Sequence, residues 1–358
     1  MANNKSYYDV AYKQLSKIIR TGWINWRVTG PRLEDDLEHV FGTQMLAIAM
    51  LNNYYEEYRR LDISKILLIL ANHEIGEIKY GDFTPFDSRK DDVQSEYSAV
   101  LATTSNIIAG KRFAKLFLEF ECNSIKKKRA LKKVNPDITF DPYKTNNSEF
   151  AFFCDKLQCD LKAKCYEIDY PNCVDLNNQF DNPAIIHSKA VNKSLSDGNA
   201  WSDMWLTVDL ATYPYDECFS AVSKEATYIF DKEEFKKNPL LKFFYQSNLL
   251  TMKKTMPNLN DLRYPSYADK IMAAEYLAMS DPNINSSKVV SLIAFNAISI
   301  IGNQEFIKNL KGISRSLYEE ATLIKTKEAK LAKYFLSIAF YKSMDYNEYS
   351  AYTKKLNN

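Results

Sequence analysis

Three histidines occur in the chain, His39, His73 and His187, and two of them stand beside carboxylates. His39 follows Glu38 in "LEH", His73 is followed at once by Glu74, and Asp155 stands in "CDK" among apolar neighbours. Two imidazoles and two carboxylates converging from three helices make a mixed nitrogen and oxygen set suited to one divalent ion such as Mn, Co, Zn, Fe or Mg. Glu77, four residues after His73, projects from the same helix face and can act beside the ion without being a ligand. Asp82 follows Gly81 just past the helix end, where the turning chain presents a carboxylate to a cleft. Each residue alone has a simpler reading. His39 can be a core histidine bonded to a carbonyl, Asp155 can pair with Lys156 or Lys162, and Glu77 can be a helix partner of His73. Burying carboxylates is costly without a compensating cation, so their crowding in "ANHEIGEIKYGDFTP" (71–85) points to a site. His187, in "AIIHSKA", is read as structural.

The elements that position these groups read as helices. Leu37, Val40, Phe41, Met45, Ile48 and Leu51 recur at helical spacing over 37–55, with Asp35 or Asp36 as N-cap. A second helix is expected to start after Asp62, run unbroken through "ISKILLILANHEIGEIKY" and end at Gly81 in the left-handed conformation. Its apolar middle implies a central place in a bundle. A third covers about 148–168. With nine glycines and eleven prolines in 358 residues and no alternating strand pattern, the fold class is all-α. The texture loosens past residue 170 into loops and short helices, including a Trp-rich passage at 199–217. A boundary near residue 220 divides the chain into domains 1–220 and 221–358. In the latter, Ser287 is a plausible cap and Gly302 a stop for "SKVVSLIAFNAISII". The last segment loosely resembles one tetratricopeptide-type hairpin through Leu336, Ser337, Phe340 and Tyr346. A single copy favours an ordinary hairpin.

Composition excludes several classes. With 47 basic and 45 acidic residues the net charge is +2, which gives no pull toward nucleic acid or anionic membrane. The basic run "KKKRALKK" (126–133) reads as a solvated face. Six cysteines show no CxxC pair and fit reduced thiols. No apolar run approaches the ~20 residues of a membrane span, and the start of the chain lacks a signal-peptide core, so a cytoplasmic location is expected.

The ordered pieces "EH" (38–39), "NHEIGE" (72–77), "GDFTP" (81–85) and "DK" (155–156), preceded by "RTGW" (20–23), resemble the HD-domain phosphohydrolases, specifically their metal-dependent 5′-deoxynucleotidase branch. The resemblance covers roughly residues 5–190. It implies an HD-type helical bundle with a helical extension, one divalent ion on His39, His73, Glu74 and Asp155, and Glu77 as catalytic acid or base. It further implies that Asp82 positions nucleotide and water, and that Arg20, with Trp23 nearby, meets the phosphate. The activity implied is hydrolysis of a (deoxy)nucleoside 5′-monophosphate. The alternatives are another HD phosphohydrolase acting on triphosphates, cyclic nucleotides or alarmones, and a decayed nucleotide- or metal-binding module. The chain departs from the family at Glu74, where His-Asp is usual. The extra methylene moves the carboxylate outward, so the site adjusts, takes another metal or has lost activity. The presence of Arg20, Glu77 and Asp82 favours the first. A homodimer and a protein partner on the C-terminal helices are further expectations.

Overall fold

The computed structural model describes residues 5–84, 86–87, 93–121, 132–133, 145–204, 228–252 and 265–341. Among them there is no β-strand, only two isolated bridges, Lys5 to Ile107 and Ile19 to Asp35. The bundle is built from α1 (Asp36–Asn53), α2 (Ile63–Leu70), α3 (Val93–Thr104), α4 (Gly110–Glu121), α5 (Thr145–Asp169), α6 (Pro239–Met252), α7 (Tyr267–Ser280), α8 (Ser286–Ile301), α9 (Gly312–Leu323) and α10 (Lys327–Tyr341). No helix among the described residues is long and apolar enough to cross a membrane.

Helix α1 is the central rod. Asp35 caps it: its carboxylate accepts from the backbone N–H groups of Leu37 and Glu38, while the Glu38 side chain accepts from the Asp35 N–H, a reciprocal capping box. Every residue from Asp36 to Asn52 is buried. That follows from its neighbours, since α5, α2, α6 and α7 all pack against it. Helix α2 starts after Asp62, whose carboxylate accepts from the Lys65 N–H, and lies between α1, α5, α4 and α8.

The second helix differs from its expected course. It does not run unbroken to Gly81 but ends at Leu70 and is followed by a 3₁₀ turn, His73–Gly76, and one α-turn, Glu77–Tyr80. Asn72 causes the break: its side chain accepts from the Tyr7 hydroxyl at 2.6 Å and donates to the Phe113 carbonyl at 3.0 Å, tying this point to two other segments. The His73 ring then caps a carbonyl left open at the helix end, with Nδ1 2.6 Å from the Leu70 oxygen. Gly81 does stop the last turn, but at φ 98° and ψ 156°. This is a glycine-only extended region rather than the left-handed helical one. Asn285, not Ser287, caps α8, and Gly302 ends it as expected, in the left-handed conformation.

The boundary expected near residue 220 lies outside the described residues, as do Cys122, Cys218, Tyr346 and the basic run except Lys132 and Lys133. The helices on either side of that stretch share one connected apolar core, from Tyr7 and Phe41 to Phe295 and Phe335. The described cysteines Cys154, Cys159, Cys165 and Cys173 are free thiols.

Candidate metal centre

The 3₁₀ turn delivers His73 and Glu74 to the first turn of α1 and the middle of α5, which supply His39 and Asp155. One donor atom from each of these four buried residues lies within 4.8 Å of every other. His39 Nε2 is 3.0 Å from Asp155 Oδ1 and 3.1 Å from Glu74 Oε1, and His73 Nε2 is 3.2 Å from the same Glu74 oxygen. The Glu74 side chain thus reaches both imidazoles with a single oxygen from the 3₁₀ turn.

Whether this set suits a metal ion can be tested on the far side of each ring. His39 Nδ1 lies 2.6 Å from the Gln158 side-chain oxygen and His73 Nδ1 2.6 Å from the Leu70 carbonyl. Each Nδ1 therefore donates its proton outward, and both Nε2 lone pairs, 3.3 Å apart, point inward toward two carboxylates. An electron-rich pocket of this kind is completed by a cation, and two imidazole and two carboxylate donors fit a divalent one. Protons respond to the same field. Burial lowers the His73 pKa, yet Glu74 and Asp155 overcome it and lift the value to about 10. Burial raises the Asp155 and Glu74 carboxyls, but Lys156 with the two histidines, and His73 with Arg20, hold them well below the usual range. Asp155 also keeps the Lys156 partner considered from sequence, at 2.8 Å through its other oxygen.

Beside the donors lies a second group. Arg20, mostly buried, points its guanidinium at Glu74 (2.7 Å), Glu77 (3.6 Å), Asp36 (3.8 Å) and Asp82 (3.9 Å). Because the helix is broken after Leu70, Glu77 sits on a separate turn and groups with Asp36 and Asp82 rather than with the four donors. Burial raises the Glu77 pKa well above the carboxylate range, and Glu74, Asp36 and Asp82 raise it further against the opposing pull of Arg20. Asp82 accepts a short bond from the Thr21 N–H, and its carbonyl accepts from the Thr21 hydroxyl at 2.9 Å, which fixes the Arg20–Trp23 segment over the site. The Trp23 ring is buried edge-on against Tyr166, its N–H directed to Glu34 at 3.3 Å.

Arg20, Trp23, Glu77, Asp82, Asp155 and Lys156 line one cleft together with the aromatic side chains of Tyr80, Phe83, Phe120 and Phe152. His187 lies away from it on an exposed helix end. Sequence reasoning missed Asp36 as a site residue, having considered it only as a cap, and missed Gln158 and Glu34 behind His39. Gln158 lies three residues after Asp155, hence near it on one helix face, which is the signal that could have found it.

The fold and donor set agree with a comparison of the sequence with known families: residues 12–193 match the HD domain model, and the chain belongs to the HD domain family. Among curated proteins, the chain is 28% identical over 127 residues to a 5′-deoxynucleotidase HDDC2 of Dictyostelium discoideum. That match covers 34% of this chain and 65% of the relative. No solved structure matches the chain.

Proposed function

We propose that the protein is a metal-dependent phosphohydrolase that cleaves nucleoside 5′-monophosphates, deoxynucleotides in particular, into nucleoside and phosphate. The observation that carries this reading is the juxtaposition of the four-donor set with Arg20, only 2.7 Å from the Glu74 donor, in a cleft that aromatic side chains help to line. The name of the curated relative points to the same substrate class.

His39, His73, Glu74 and Asp155 would hold one divalent ion. Bound there, such an ion would supply Lewis acidity, lowering the pKa of a water and polarising a phosphoryl oxygen. The chain's own groups do the rest. Arg20 offers its fork to the phosphate, a planar bidentate donor that lysine cannot replace. Glu77, whose hold on a proton is strengthened by its burial and its anionic neighbours, gives a proton to the departing 5′ oxygen. Asp82 orients the Arg20 segment, and the aromatic side chains of the cleft take the base face-on.

The test is phosphate release from deoxy- and ribonucleoside 5′-monophosphates by chelator-treated protein given Mn, Co, Mg or Zn, comparing wild type with Glu77→Ala. Metal-dependent release, lowered on the order of 10²- to 10⁴-fold in the variant, is expected. Release confined to triphosphates or cyclic nucleotides would overturn the substrate class, and nucleotide binding without release would make the site a sensor.

A further inference from the structure

His39 presents Nε2 to the donor cluster because of what stands behind the ring. The carboxylate of Glu34 is surrounded by donors: the Gln158 amide N–H at 2.8 Å, the Trp23 indole N–H at 3.3 Å and the Lys162 ammonium at 3.6 Å. A carboxylate among donors fixes which way the Gln158 amide faces, with its NH₂ on Glu34 and its oxygen on His39 Nδ1. An oxygen at that place requires the proton on Nδ1, which leaves the Nε2 lone pair for a ligand bond. Glu34, Gln158, His39 and Lys162 are all buried to within about one per cent of their surface, so solvent does not stand in for any of them.

Gly42 supports this arrangement. It lies inside α1, where alanine would favour the helix, and a Cβ there would come within 2.6 Å of the Gln158 amide nitrogen. The glycine makes the space in which the amide lies flat against α1. The line also continues outward: Lys162 donates to Asn248 at 2.6 Å and to Thr251 at 2.8 Å, both on α6.

We propose that Gln158 is a positioning residue of the metal centre, oriented by Glu34 and given room by Gly42, which holds His39 in the tautomer that ligates. This rests on the metal-binding reading above. Through Lys162 the same line makes α6, from the C-terminal half of the chain, part of the support behind a metal ligand.

The experiment uses the full chain, with Co²⁺ titrated calorimetrically into chelator-treated protein and the His39 tautomer read from imidazole ¹⁵N shifts. Gln158→Leu and Gly42→Ala are each expected to weaken Co²⁺ binding by about 10- to 100-fold and to abolish the Nδ1–H signature of His39. Gly42→Ala displaces a side chain rather than backbone, and circular dichroism with a thermal midpoint checks that it stays cooperatively folded. The exchange Glu34→Gln with Gln158→Glu reverses donor and acceptor between the pair but again places an oxygen on His39 Nδ1, and it should restore most of the affinity. Variants that bind Co²⁺ like wild type with an unchanged tautomer, or an exchange that rescues nothing, overturn the proposal. Wild type that binds no Co²⁺ overturns instead the metal reading beneath it, and the tautomer readout separates the two failures.

Discussion

Asp36, Glu77 and Asp82 bring three carboxylates within 4.8 Å of one another around a single guanidinium, and that imbalance has a chemical consequence. Burial and the surrounding anions raise both the Asp36 and the Glu77 carboxyls, with Arg20 opposing, so the pair holds a proton more tightly than free carboxylates do. Both stand in the first turn of a helix, Asp36 in the longer α1, and general-acid action by Glu77 requires the proton on Glu77. Asp36→Asn removes the negative neighbour that holds this proton. The Glu77 pKa then falls, and the alkaline limb of phosphate release against pH moves down. Rates measured from pH 5 to 10 on both proteins check this. An alkaline limb that stays in place would show that Glu77 is not the acid.

Gly81 shows how one backbone position serves the site. At φ 98° it turns the chain out of the Glu77–Tyr80 helix, and Asp82 then grips the N–H of Thr21. Gly81→Ala should cost about 1–3 kcal/mol of stability and loosen the Arg20–Trp23 segment. The expected result is a lower thermal midpoint together with a raised KM, because Arg20 binds phosphate; a lower midpoint with KM unchanged would separate the turn from the site. At this scale the sequence was readable wherever apolar spacing and caps agree. Asp35, Asp62 and Gly302 mark helix ends because their chemistry is local. The break after Leu70 was not readable, since Asn72 is pinned by Tyr7 and Phe113, residues 65 and 41 positions away, and no local propensity records those bonds. The four donors were legible because imidazole and carboxylate are rare in apolar helices. Gln158 and Glu34 were not, because a buried amide has meaning only once its partner is seen. The αL ending expected at Gly81 failed for a related reason: glycine permits several conformations, and the Asp82–Thr21 contact selects among them.

On the scale of the whole molecule, α7 is tied to α1 by charges the core encloses. Arg32 lies 3.0 Å from Glu38, 3.3 Å from Asp269 and 3.5 Å from Asp35, so one cation answers three carboxylates. Burial, then Asp269, raise the Glu38 pKa from 4.5 to about 7 against the pull of Arg32 and Lys162. The folded state thus holds this proton more tightly than the unfolded chain does. The associated stability is complete below about pH 4.5 and is lost as pH rises through 7. The thermal midpoint should therefore rise from pH 8 to pH 6, less steeply in Glu38→Gln, and equal slopes would remove Glu38 from the account. A second buried tie joins the same helices, where Gln44 of α1 donates to Glu275 of α7 at 2.8 Å and to the Leu67 carbonyl of α2 at 3.0 Å. These bonds lie within apolar contacts of α1 with α6 and α7, and of α2 with α8. Cutting the chain at residue 220 would open those faces to water at about 25 cal/mol per Å² of apolar surface, while taking Glu275 from Gln44 and Asp269 from Arg32. Residues 1–220 alone should therefore aggregate or stay partly unfolded, with exposed apolar surface detectable by dye binding. Adding 221–358 as a separate chain should recover soluble material with Co²⁺ binding. A fragment 1–220 that is monomeric, cooperatively folded and as tight for Co²⁺ as the full chain would show that the shared core is not needed to hold the metal centre.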